Sequence, residues 1–363
     1  MQSSTGDKGE LLGHVKALDG LRFFAFVAVY AHHAAQNNAR VRTFTEYGAL
    51  GVQVFFVLSG FLIGQILLQL RSRSDAPLGE RLKVFYARRA LRIFPLYYLS
   101  LLVFALVTAG GFELLGTLSD LPWNLAYLSN LKMVLDGHAM GGLSHFWSLS
   151  VEEHFYMLAP LLVLTLPKAR LPQCCVLVWL ACAAARAGLG ERYAALAILS
   201  PLQFDCLAVG IAAAILQSEQ SFLGLSPRRA RALSWVCALL SLPLLAARQA
   251  SSPSLRLAAA VFEQWVFAVA VGGLVLHLWN SRQSPLTRLC SFRPFTYLGK
   301  ISYGLYVWHF PVLLLVAVGL RDFLPRGSSI VALGVSVLVA MLSWHFFERP
   351  INDLKRYFAY RRA

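Results

Sequence analysis

The most constraining feature of this chain is the length of its apolar runs. Blocks of 16 to 24 mostly apolar residues recur along 363 residues, separated by short polar segments. A bilayer core is about 30 Å thick, and a helix crosses it in roughly 20 residues. Only 14% of the residues are charged, against about a quarter in a soluble domain. The pattern predicts an all-α polytopic membrane protein. Ten spans are expected, at about 18–36, 47–70, 93–112, 148–167, 173–188, 200–217, 232–249, 256–279, 298–320 and 328–347.

The formal net charge is +15. The basic residues cluster between apolar blocks without a basic-aromatic pattern, which points to membrane topology rather than nucleic acid. With the N-terminus inside, 23 Lys and Arg fall on the cytoplasmic side and 9 on the other, Arg186 among the nine. That bias predicts both termini in the cytoplasm. Residues 1–17 read as a cytoplasmic leader without signal-peptide features, 18–350 as the transmembrane domain, and 351–363 as a basic cytoplasmic tail. Segment 113–147 is too aromatic for a solvated loop. It is expected to be re-entrant or interfacial, lining a cavity. The six cysteines lack CxxC spacing, so neither a disulfide framework nor a metal site is expected.

Several ionisable residues sit inside apolar blocks, where they are costly and usually face a bundle interior or water. Arg22 and His33 are eleven residues apart, close to three helical turns. They share one face, about 16 Å apart along the axis, with His32 rotated away. The alternative is a snorkelling arginine and interfacial histidines. In "SHFWSLSVEEHFY", Glu152 and Glu153 enter a span beside His145, Trp147 and His154. A helix N-terminus would stabilise one such carboxylate, but accounts for two less well. Gly60 and Gly64 form a small-xxx-small pair, read as close helix packing. Arg88, Arg89 and Arg92 precede a span, either as positive-inside anchors or as ligands for phosphate. His309 is expected near the cytoplasmic half of its span, where Pro311 permits a kink. Glu348 and Arg349 are expected to form an ion pair at a helix end.

Together these blocks resemble the acyltransferase-3 family of membrane acyltransferases. The chain carries its LDGLR opening with the Arg-x10-His signature at Arg22 and His33. "GVQVFFVLSGFLIG", "RRALRIFPLYYL", "FWSLSVEEHFY", "ISYGLYVWHFPV" and "FERPI" follow in the family's order. Gln53 stands where the family usually has Asp, and His154 where it usually has Gln. The chain resembles the stand-alone type, without an SGNH-type domain.

The resemblance implies an O-acyltransferase of the bacterial inner membrane. It would move an acyl group, most often acetyl, from cytoplasmic acyl-CoA to a carbohydrate hydroxyl. It also implies site roles. His33 would be the general base, oriented by Glu153 or Glu152. Arg22, with Arg88, Arg89 or Arg92, would hold the CoA phosphates, and Trp147, His145 and His309 would bind substrate. No metal is expected. A small-molecule acceptor such as a macrolide, and a transporter or flippase, are the competing readings.

Overall fold

The computed structural model describes residues 13–35, 46–73, 76–111, 116–248, 250–320 and 328–358. The start of the leader, the start of segment 113–147 and the end of the basic tail lie outside these residues. Sixteen helices are numbered here in chain order: α1 (Lys16–Ala34), α2 (Leu50–Arg73), α3 (Leu78–Ala109), α4 (Leu121–Leu125), α5 (Ser129–Asp136), α6 (Trp147–Thr165), α7 (Leu171–Leu189) and α8 (Tyr193–Leu196). Then come α9 (Phe204–Glu219), α10 (Pro227–Ala247), α11 (Pro253–Asn280), α12 (Pro285–Cys290), α13 (Arg293–Lys300), α14 (Ser302–Gly319), α15 (Ser328–Ser343) and α16 (Arg349–Asp353). No strand ladder joins the described residues.

Seven helices among the described residues are long and apolar enough to cross a bilayer. Three expected spans fall outside that set for physical reasons. The helices α1 and α6 carry the ionisable residues that lower their hydropathy, and α9 has only 16 residues.

One boundary differs strongly from expectation. The arginines do not precede α3 but lie inside it, because the helix begins at Leu78. The segment before residue 93 has an amphipathic face: Phe85 is buried, and Leu82 and Tyr86 pack on the core, a spacing that fits a helix. Arg186, counted with the outer-side charges from sequence, is sealed inside the bundle near the end of α7. The described part of segment 113–147 is a chain of short helical pieces packed on the bundle. Tyr97 Oη on α3 donates to the Asn124 carbonyl at 2.8 Å, and Ser129 Oγ lies 2.8 Å from Ser150 Oγ on α6.

Small residues set the closest crossings, as expected where lipid gives no hydrophobic push between helices. On α2, a Cβ added to Gly60 would lie 2.1 Å from the Leu207 carbonyl oxygen of α9, and one on Gly64 would lie 2.8 Å from Ala214 Cβ. The α1 helix is held as tightly. A Cβ on Gly20 would lie 1.9 Å from the Cys290 carbonyl oxygen, and one on Gly299 would lie 1.7 Å from that of Asp19. These contacts place α1 beside α12 and α13 and fix the height of Arg22 and His33 in the bundle.

Candidate functional site

A cavity of about 320 Å³ opens between α1, α2, α3, α6 and α14. It collects Arg22, Arg88, Arg89, Arg92, Glu152 and Glu153, residues that the sequence leaves scattered over three helices. The site has four levels.

At the first level the lining cations outnumber the carboxylates. Arg22, Arg88, Arg89, Arg92 and Lys355 face Asp19, Glu152 and Glu153. Clustered like charges repel, so such a cavity suits an anion. Asp19 is buried, and its Oδ1 accepts from Arg22 Nη1 at 2.7 Å while Oδ2 lies 2.5 Å from His14 Nε2. The carboxylate therefore holds the Arg22 guanidinium at the cavity wall. Sequence reading singled out Asp19 only as part of a motif, although its i, i+3 spacing to Arg22 was visible. The Arg89 guanidinium lies over the rings of Phe85 and Tyr156, at 5.9 and 5.4 Å from their centroids. Arg88 does something different: its Nη1 donates to the carbonyls of Lys355 at 3.1 Å and Phe358 at 3.0 Å, pinning the C-terminal segment.

The second level is the glutamate pair. Glu152 and Tyr156 sit at i, i+4 on one face of α6, and Tyr156 Oη donates to Glu152 Oε2 at 3.0 Å. Ser59 Oγ lies 2.5 Å from the same phenol oxygen. Because Tyr156 spends its one proton on the carboxylate, Ser59 is the donor to Tyr156. Glu153 points elsewhere, as adjacent helical residues must. Its Oε1 is buried without a hydrogen-bond partner among the described residues.

Tyr306 forms the third level. It lines the cavity, lies 2.5 Å from Ser148 Oγ and donates to the His145 carbonyl at 2.9 Å. Its ring is 5.5 Å from that of His309, so Tyr306 touches the cavity on one side and a histidine cluster on the other.

The fourth level is that cluster. His33 Nδ1 lies 2.9 Å from His309 Nε2, and the two rings stack with centroids 5.1 Å apart. His145 meets His309 edge-on at 5.1 Å, and Phe310 lies 4.5 Å from the His33 ring. His309, the eighth of the 18 residues of α14, thus meets His33 near the end of α1. The bonded partner of the His33 ring is His309 rather than a glutamate. Trp147 joins neither group and packs edge-on against Phe56 at 6.1 Å.

Three other sequence features resolve away from the cavity. His154 Nδ1 lies 2.6 Å from Ser200 Oγ, which also accepts from Asn130 Nδ2 at 2.8 Å. That network ties α6, α5 and the turn before α9 together. Gln53 Oε1 is buried without a partner among the described residues. Glu348 does not pair with Arg349. A π turn, Trp344–Glu348, carries it inward, where Ser343 Oγ donates to its Oε1 at 2.8 Å.

These features define a polytopic α-helical membrane protein with an anion-suited cavity separated by Tyr306 from a buried histidine cluster. Residues 15–345 match the family described as an acyltransferase domain, and the chain belongs to the acyltransferase-3 family. It is 28% identical to the peptidoglycan O-acetyltransferase OatA of Listeria monocytogenes, over 95% of this chain and 57% of that one. It is also 28% identical to the putative peptidoglycan O-acetyltransferase YrhL of Bacillus subtilis, over 93% and 55%. To the O-acetyltransferase OatA of Staphylococcus aureus it is 25% identical, over 93% and 57%. The chain thus spans a little over half the length of these relatives. No solved structure matches it.

Proposed function

We propose that this protein is a membrane-bound O-acyltransferase that moves an acetyl group from acetyl-CoA to a hydroxyl of a cell-surface or lipid-linked carbohydrate. The observation that carries the reading is a cavity lined by arginines and, reached from its wall residue Tyr306 through His309, a histidine on the same helix as Arg22. The relatives' names support acetyl as the group and a cell-wall polysaccharide as the class of acceptor.

In this reading the bundle has ten spans with both termini cytoplasmic, so the arginine mouth faces the side where acyl-CoA is made. Arg22, Arg89 and Arg92 hold the donor phosphates, for which guanidinium forks are well shaped. Arg88 shapes the mouth by fixing the C-terminal segment across it. The donor supplies an activated thioester. His33 Nε2 takes the proton from the acceptor hydroxyl as the hydroxyl oxygen bonds to the acyl carbon. The carbon–sulfur bond breaks, and His33 returns the proton to the departing thiolate. Glu152 and Glu153, on the cavity wall, hold the donor arm and the acceptor. His145, packed edge-on against His309, shapes the acceptor side. Arg22 and His33, about 16 Å apart on one helix, allow a donor bound on one side to meet an acceptor on the other.

The test uses purified protein in detergent or nanodiscs with labelled acetyl-CoA and a peptidoglycan fragment. Label transfer that disappears in His33→Ala supports the reading. Substrate transport without acetyl transfer overturns it.

A further inference from the structure

The hydrogen bonds around His309 determine where its protons sit. His309 Nδ1 lies 2.7 Å from the Tyr306 carbonyl oxygen, one turn back on α14. A carbonyl only accepts, so Nδ1 carries the proton. The neutral ring then presents a lone pair at Nε2, and His33 Nδ1 lies 2.9 Å from that atom. His33 must therefore donate from Nδ1, which leaves the lone pair on its Nε2. The reverse polarity would need protons on both His309 nitrogens. That would place a positive charge in a fully buried ring surrounded by Phe26, Tyr30, His145 and Phe310. Burying such a charge without a carboxylate is costly. Among the described residues His33 Nε2 has no hydrogen-bond partner.

We infer that His309 is a positioning residue that locks His33 in the Nδ1–H tautomer and so aims its basic Nε2 at the acceptor hydroxyl. The lock runs in one direction, from His33 Nδ1–H to His309 Nε2 and from His309 Nδ1–H to the Tyr306 carbonyl. It does for this histidine what a buried carboxylate does in a hydrolase triad, but without a charge. A neutral partner suits a membrane interior, where a buried carboxylate would be expensive. The same Tyr306 latches the wall of the donor cavity through its hydroxyl, so the wall and the base are set by one residue. The inference rests on the proposed role of His33 as base.

Two measurements test it. The first is solid-state nitrogen NMR on histidine-labelled protein in lipid, with the His33 signals assigned by their loss in His33→Ala. The inference expects a protonated Nδ1 and an unprotonated Nε2 on His33. The opposite tautomer overturns it, whatever the activity. The second compares His309→Gln with His309→Phe. Gln keeps an acceptor oxygen near the place of Nε2, whereas Phe keeps the ring volume without one. His309→Phe should lower kcat by about 100-fold or more, with the KM for acetyl-CoA little changed. His309→Gln should stay within about tenfold of the parent, since it retains the acceptor. Equal loss in both folded variants, or full kcat in the Phe variant, overturns the inference. If His309→Phe does not fold, the NMR result and the Gln variant decide. Failure of the general-base reading looks different: His33→Ala retains transfer while the tautomer is as inferred.

Discussion

Two Arg–Asp pairs in this bundle share the same chemistry and have opposite settings. Arg22 and Asp19 belong to one helix, at i, i+3, and the arginine side chain keeps 18% of its surface open to the cavity. Arg186 and Asp205 join α7 to α9, and both side chains have none of theirs exposed. Around the closed pair, Arg186 also donates to the carbonyls of Leu202 and Val261, and Gln264 Nε2 on α11 donates to Asp205 Oδ1 at 2.8 Å. The closed pair spends its hydrogen bonds on tying three helices together. The open pair fixes a guanidinium by one bond and leaves the rest facing the cavity. An ionisable residue in an apolar block is therefore not a site by itself; the direction in which it remains unsatisfied decides.

Breaking the closed pair should have the largest effect. Arg186→Leu leaves Asp205 buried and uncompensated, at a cost of roughly 3–5 kcal/mol. Thermal unfolding in detergent should show the loss, and the double variant Arg186→Leu/Asp205→Leu should recover much of it. Arg22→Leu should leave the melting temperature within a few degrees. It should lower kcat/KM for acetyl-CoA by about 10–100-fold, the value of one or two charge-assisted hydrogen bonds. Asp19→Asn should give a smaller loss in the same assay, about tenfold or less, because Arg22 is kept but its anchor is neutral. A third pair sharpens the scale. Arg248 is 43% exposed and bridges Glu263, whose carboxylate is only 2% exposed. Arg248→Ala strands the buried Glu263, but water reaches this half-open pair, so it should cost less stability than Arg186→Leu and leave acetyl transfer unchanged.

Helical periodicity alone placed Arg22 and His33 on one face, and small-xxx-small spacing found the Gly60 and Gly64 crossing. Such local features are legible because they depend on neighbours within a few turns. The partner of His33 is not local: His309 lies 276 positions away, and no periodicity relates the two. The burial of Arg186 was not legible for a related reason. A charge near the end of an apolar run reads as a loop residue until its counter-ion, 19 positions on, is seen beside it. The arginines of α3 were read as preceding a span because hydropathy detects apolar stretches, whereas the helix extends through an amphipathic segment.

The glycine contacts of α1 bear on how the molecule can move. Gly20 meets the Cys290 carbonyl and Gly299 meets that of Asp19, with no room for a Cβ at either. A slip of one turn, about 5.4 Å, would bring Lys16 or Phe24 to the place of Gly20, where the side chain would strike the backbone. A rocking carrier must let one part of its bundle shift past another; here α1 is keyed into its neighbours like a bolt in a notched plate. Any traffic has to pass along a stationary post, on which the spacing of arginine and histidine works as a fixed gauge.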